Sequence, residues 1–238
     1  VGVVDNRAMK LHRFLALLLV MVLMALPVAA VEKRIAERWG NNLVTTTKLL
    51  KAGSYPGARP ILKNTIDEML SMLGPSDETT YVFIVPLIQM ALAEEGMGDH
   101  SAAIWHWHMA QTIYPKAAET DLSAFGAPGE TLKRNVLSNP NPPACLHKSK
   151  EPLAKVLKPS SPKYPEGARL FRERGIVIVS LTIGADGSVS EPRVVKPLPT
   201  PLTYAALESM RFWKFAPATV DGKAVESNFC LTINYKLN

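Results

Sequence analysis

Gly175-Ile-Val-Ile-Val-Ser-Leu-Thr-Ile-Gly-Ala-Asp-Gly-Ser-Val189 alternates with a period of two. Val177, Val179, Leu181 and Ile183 fall on one face, and Ile178, Ser180 and Thr182 on the other. That period, filled with β-branched residues, predicts a strand. Asp186-Gly187 supplies the positive φ of a tight hairpin turn, and Val189 to Val195 reads as the returning strand. Thr200 can cap a following helix with Pro201 at its first position, and Ala206, Met210 and Trp213 make one apolar stripe along it. Asp221-Gly222 is a second turn. The last strand puts Phe229, Leu231, Ile233, Tyr235 and Leu237 on one face and Cys230, Thr232, Asn234 and Lys236 on the other. The order hairpin, helix, strand defines an α+β domain over 159–238, a small antiparallel sheet covered by a helix. It is expected to fold alone, with Trp213 as its main core anchor.

Upstream, residues 31–137 carry helical signals, so the C-terminal domain is preceded by an all-α domain of helical hairpins. Ala103, Trp107 and Ala110 lie at i, i+4, i+7, with Pro115 beyond and a turn near Gly96 to Asp99 before. This resembles the second helix of a tetratricopeptide repeat. The first helix, about Thr79 to Glu95, has Ala91 where the repeat usually has glycine, and Pro86 is expected to kink it. Gly53-Ser-Tyr-Pro-Gly-Ala58 followed by Leu62 echoes the arrangement. An unrelated helical bundle stays open as the alternative. Residues 138–158, rich in proline and lysine, read as an extended linker.

At the N-terminus, Met9-Lys-Leu-His-Arg13 is a basic region. An apolar run from Phe14 to Leu26 and the small residues Val28-Ala29-Ala30 follow. Residues 1–30 therefore read as a signal peptide starting at Met9 and cut after Ala30, or as an uncleaved anchor interrupted by Pro27. Both place the remainder in an oxidising exterior compartment, the periplasm of a Gram-negative cell. There, Cys145 and Cys230, the chain's two cysteines, are expected to pair, the alternative being two unpaired thiols.

The net charge is +6. The lysines and arginines are scattered, which argues against a nucleic-acid partner. His100, His106 and His108 do not form a metal set, since His106 and His108 point about 200° apart on a helix. No cofactor motif and no catalytic signature occurs: there is no G-x-S-x-G, no Walker loop and no H-E-x-x-H. The reading is not an enzyme.

Tyr164-Pro165, Ala168, Gly175, the Asp186-Gly187 turn with Val189, Ala206-Leu207, Trp213-Lys-Phe-Ala-Pro-Ala218 and Asp221-Gly222 with Val225 fall in an order that resembles the C-terminal domain of TonB-family energy transducers. The resemblance covers the last third of the chain. It implies strand addition, in which an outer-membrane TonB-dependent receptor lays an extended segment along the edge strand. The strand from Asn228 to Leu237 is the candidate edge, with Asn228, Cys230, Thr232, Asn234 and Lys236 as candidate contacts. Lys163, Tyr164 and Pro165 correspond to a second receptor-touching segment, although the family often has glutamine where Lys163 stands. The resemblance also implies coupling to an inner-membrane proton-driven motor, and a homodimer through the same edge. Two departures bear on this. The spacer is short, and no histidine lies within Phe14 to Ala30, where family anchors carry one for motor coupling. A soluble periplasmic adaptor, binding one partner by its helical repeats and another by its TonB-like domain, is the alternative.

Overall fold

The structure, a computed structural model, describes residues 33–74, 77–137, 145 and 153–237. The expected signal peptide or anchor, residues 1–30, lies outside the described residues, as does most of the expected linker.

Four helices follow one another: α1 (Lys33–Lys51), α2 (Tyr55–Met72), α3 (Asp77–Gly96) and α4 (His100–Ile113). Two short 3-10 turns and α5 (Gly126–Arg134) complete the helical half. Every residue from Val82 to Glu95 is buried, so α3 is the central element, apolar all round because helices surround it. It is continuous through Pro86. Its one buried amide is fully used: Gln89 donates to Leu43 O (3.1 Å) and Thr47 Oγ1 (2.7 Å) and accepts from Thr46 Oγ1 (2.5 Å). A buried amide left unmatched would cost about 1–3 kcal/mol; here it fixes α1 on α3 instead. Asp99 caps α4 by accepting from Ala102 N at 3.2 Å. Ala103, Trp107 and Ala110 are all fully buried.

The C-terminal half holds β1 (Lys155–Lys158), α6 (Glu166–Leu170), β2 (Gly175–Ile183), β3 (Val189–Lys196), α7 (Thr200–Met210), β4 (Lys214–Ala216), β5 (Ala218–Val220), β6 (Lys223–Val225) and β7 (Ser227–Tyr235). An antiparallel three-stranded sheet runs in the order β3-β2-β7. The fold class is as the alternation predicts. Val177, Val179, Leu181, Ile183, Leu231, Ile233 and Tyr235 face the core, and β2 pairs β7 without interruption from Gly175↔Tyr235 to Ile183↔Ser227. The two Asp-Gly turns differ. Asp221 and Gly222 both have positive φ and close β5 on β6 in two residues, as a tight hairpin requires. At the other only Gly187 does, and the loop spans Gly184 to Ser188, with Gly187 N donating to Gly184 O at 2.9 Å. Lys155–Lys158 lies in the predicted linker yet forms β1 against β4, since the stretch between Pro152 and Pro159 is free of proline.

Trp213 departs from expectation. α7 ends at Met210, so Trp213 lies beyond the helix and is only half-buried, with Nε1 donating to Ser160 O at 2.9 Å. The helix starts at Thr200 with Pro199 at its cap position. Ten of its eleven residues are buried, far more than one stripe accounts for, because α7 is enclosed on both sides. One face lies on the sheet. On the other, the Tyr204 ring stacks with Phe83 of α3 at 5.9 Å. One apolar core therefore runs through both halves, in place of the expected self-contained C-terminal core. Gly167 of α6 marks a close approach, where a β-carbon would lie 2.4 Å from Leu73 O.

Candidate protein-binding edge

A strand at a sheet edge presents unpaired N–H and C=O groups. This sheet has two such edges, β3 and β7. The first is occupied. β3 is irregular, with shifts in its register against β2 and a positive φ at Glu191, and α4 packs along it. Val194 N donates across to Thr112 Oγ1 of α4 at 2.8 Å. The second edge, β7, runs nine residues in even register, and no described strand pairs with its outer side.

The candidate residues fall into two groups that the fold brings together. Asn228, Thr232 and Asn234 are exposed on the face of β7 turned from the core, Cys230 is half-buried there, and Lys236 is exposed just beyond the strand. Cys230 is disulfide-bonded to Cys145, with Cα atoms 5.7 Å apart across a sequence separation of 85. Lys163 is exposed, Tyr164 half-buried and Pro165 buried. Tyr164 joins this segment to the end of β7: its ring meets Tyr235 edge-on at 5.4 Å, its hydroxyl donates to Glu173 O, and the Arg169 guanidinium lies over its face at 5.5 Å. Tyr235 in turn donates to Leu202 O at 3.0 Å. Burial raises both phenols above their ordinary value, so both remain neutral donors. They hold Lys163–Pro165 beside the C-terminal end of β7 and fix that end to α7.

Two sets of residues near the edge carry no local sequence signal. Glu173 is buried, neither carboxylate oxygen has a hydrogen-bond partner among the described residues, and burial pushes its carboxyl up to about 7. The charged run Arg172-Glu173-Arg174 carries no sign of that burial in the sequence. The other set is at the junction of the halves. His106 Nδ1 lies 2.5 Å from Glu94 Oε2 and its Nε2 lies 3.3 Å from Glu208 Oε2. Arg211 Nη1 approaches Glu94 at 3.7 Å and Glu208 at 3.9 Å. Burial opposes charge on His106, but the two carboxylates outweigh it and raise the pKa from 6.5 to about 9. His108 points elsewhere, to Asn135 O at 3.0 Å, and burial lowers its pKa. The carboxylates around His106 come from α3 and α7, and they hold an imidazolium. No group of histidine, cysteine and carboxylate side chains among the described residues is arranged to hold a metal.

The C-terminal half is thus a small α+β domain with one sheet edge that no described strand pairs and a tyrosine-anchored segment at its end. Residues 160–237 are a TonB-family C-terminal domain: they match the family model described as Gram-negative bacterial TonB protein C-terminal. Two curated relatives, each named Protein TonB, come from Xanthomonas campestris pv. campestris, strain B100 and strain ATCC 33913. Each is 33% identical over 78 residues, which are 32% of this chain and 35% of the relative. The chain spans about a third of the length of the curated relatives it matches. No helix among the described residues is long and apolar enough to cross a membrane.

Proposed function

We propose that this is a TonB-type transport-coupling protein of the periplasm, without catalytic activity of its own, which captures an extended segment of an outer-membrane receptor along β7. The carrying observation is the asymmetry of the sheet: the β3 edge is met by α4, while β7 offers nine residues of strand to a partner. Main-chain hydrogen bonds would supply affinity, and the outward side chains Asn228, Thr232, Asn234 and Lys236 would read alternate residues of the added strand. Lys163, Tyr164 and Pro165 would meet the partner as it leaves the end of β7. Cys230, bridged to Cys145, would hold the preceding chain segment to the strand that bears the load. A second copy of the chain could use the same edge to form a homodimer.

Coupling to an inner-membrane motor depends on residues 1–30 remaining as an anchor. The adaptor reading, in which Ala30 is a cleavage site, is favoured by one observation: the repeat-like pair α3 and α4 is built into the same core as the TonB-like domain, a two-part body suited to bridging partners. The N-terminal residue of the mature protein separates the two, Val31 for the adaptor and an intact Met9 segment in the membrane fraction for the transducer.

The test of strand addition is a pull-down of the full chain with receptor N-terminal peptides. Thr232→Pro and Asn234→Pro remove a backbone donor and bend the edge, so at least one is expected to abolish capture, while alanine at both positions leaves most of it. Equal losses from proline and alanine would mean side-chain recognition and end the strand-addition reading.

A further inference from the structure

Between the two halves lies a cleft of about 370 Å³, within the size range of small-molecule sites. α2 and α3 form one wall, with Ile66 and Met90. The other wall comes from α7 and the segment after it, with Tyr204 and Phe212. The charges around it do not cancel. At the base, Glu94 and Glu208 are matched by His106 and Arg211. Along the rim, Lys63 pairs with Asp67 at 2.6 Å, and Glu166 is met at 3.7 Å by Arg169, which lies outside the lining. Two rim cations, Arg59 of α2 and Lys163 of the C-terminal half, are exposed and have no carboxylate partner among the described residues.

We propose that this cleft binds a small organic carboxylate with an apolar body, its carboxylate held between Arg59 and Lys163 and its body against Ile66, Tyr204 and Phe212. A cation would meet two unmatched positive charges. An inorganic anion would leave the apolar walls wet. The guanidinium of Arg59 suits a carboxylate in particular, since its paired donors match the two oxygens. Because one cation comes from each half, the bound ligand would bridge them. Two sources share this chemistry, a free organic acid and an acidic side chain of a partner peptide flanked by apolar residues. The inference shares Lys163 with the proposed partner contact at the end of β7 and otherwise stands apart from strand addition.

The test titrates the full chain with 4-phenylbutyrate by isothermal calorimetry, with 4-phenylbutanol as the neutral counterpart and acetyl-Leu-Glu-Leu-amide as the peptide arm. The expected result is one site for an acid, with the alcohol at least about tenfold weaker. Arg59→Ala and Lys163→Ala should each weaken the acid about fivefold or more. Both side chains are exposed, so the thermal midpoint of the unligated protein should not move. Binding by 4-phenylbutyrate alone assigns the site to a free acid, and preference for the peptide assigns it to an acidic side chain; either supports the proposal. No binding of either acid, equal binding of acid and alcohol, or full affinity in Arg59→Ala, Lys163→Ala and their double variant overturns it. Arg59→Ala should leave capture of receptor peptides on β7 unchanged, so the two proposals fail separately.

Discussion

Raising the pH from about 6 to about 9.5 is expected to remove about 3 kcal/mol of stability through His106 alone. The pKa of its imidazole is raised in the folded protein from 6.5 to about 9, at about 1.4 kcal/mol for each pH unit. A raised pKa means that the folded state binds the proton more tightly than the unfolded chain does. The contribution is therefore complete below 6.5 and is lost as the pH rises through about 9. The groups facing the ring are Glu94 of α3, Glu208 of α7 and Arg211 just beyond α7. Together they tie the helical half to the sheet half. Urea unfolding across this pH range, for the wild type and for His106→Gln, isolates the effect. The variant is expected to be less stable near neutral pH by roughly 3 kcal/mol, because the buried Glu94 carboxylate and the partly buried Glu208 carboxylate lose the imidazolium between them and keep Arg211 at 3.7 and 3.9 Å. It should also lack the alkaline loss. A direct reading is the midpoint of the His106 ring signals in an NMR titration. A midpoint at or below 6.5, or parallel stability curves for the two proteins, would refute the reasoning.

Three further perturbations probe other joints. Gly167→Ala would normally favour a helix, yet its β-carbon would lie 2.4 Å from Leu73 O; thermal unfolding should show a loss of about 1–3 kcal/mol, and an unchanged or higher midpoint would place the helices further apart. Trp213→Ala should cost about 2 kcal/mol in urea, below the 3–5 of a core tryptophan, because the ring is half-buried; Trp213→Phe should recover all but the hydrogen bond to Ser160, worth about 1 kcal/mol, and a full core-sized loss would mean that the ring is enclosed. Intact mass after alkylation without reductant should show no modified cysteine, and replacing Cys145 and Cys230 by serine should lower stability by on the order of 4 kcal/mol for a loop of 85 residues; two alkylated cysteines in the wild type would show the bridge to be open.

The sheet was legible because its information is local. Alternation in Val177 to Ile183 and in Leu231 to Tyr235 states which side chains are buried, and a slip of one residue would expose them all. The turn at Asp221-Gly222 was equally readable. The end of α7 was not: Trp213 continues the apolar spacing, but the helix stops at Met210 and the ring is placed by Ser160, far away in sequence. α7 itself shows how a single face hides a second one. Its stripe of Ala206 and Met210 predicts the contact with the sheet, whereas the burial of Tyr204 and Ala205 depends on Phe83 and its neighbours in another element. The charge cluster was invisible for the same reason. His106 could be weighed against nearby histidines, while Glu208 reached it only after the two halves had docked. The edge residues lay between these extremes. Alternation placed Thr232 and Asn234 outward, but that β3 would be met by a helix, leaving β7 as the edge that no described strand pairs, depended on Thr112 of α4.

That hydrogen bond from Val194 to Thr112 also sets a stoichiometry. A sheet growable on both sides can propagate from molecule to molecule without end, which is how edge strands lead to fibres. Here α4 meets one side, so under the proposed strand addition the molecule would behave as a chain terminator: it would accept one guest strand and then offer no second one. Whether the guest were a receptor segment or a twin, assembly through β7 would stop at two, and the two outcomes would exclude each other.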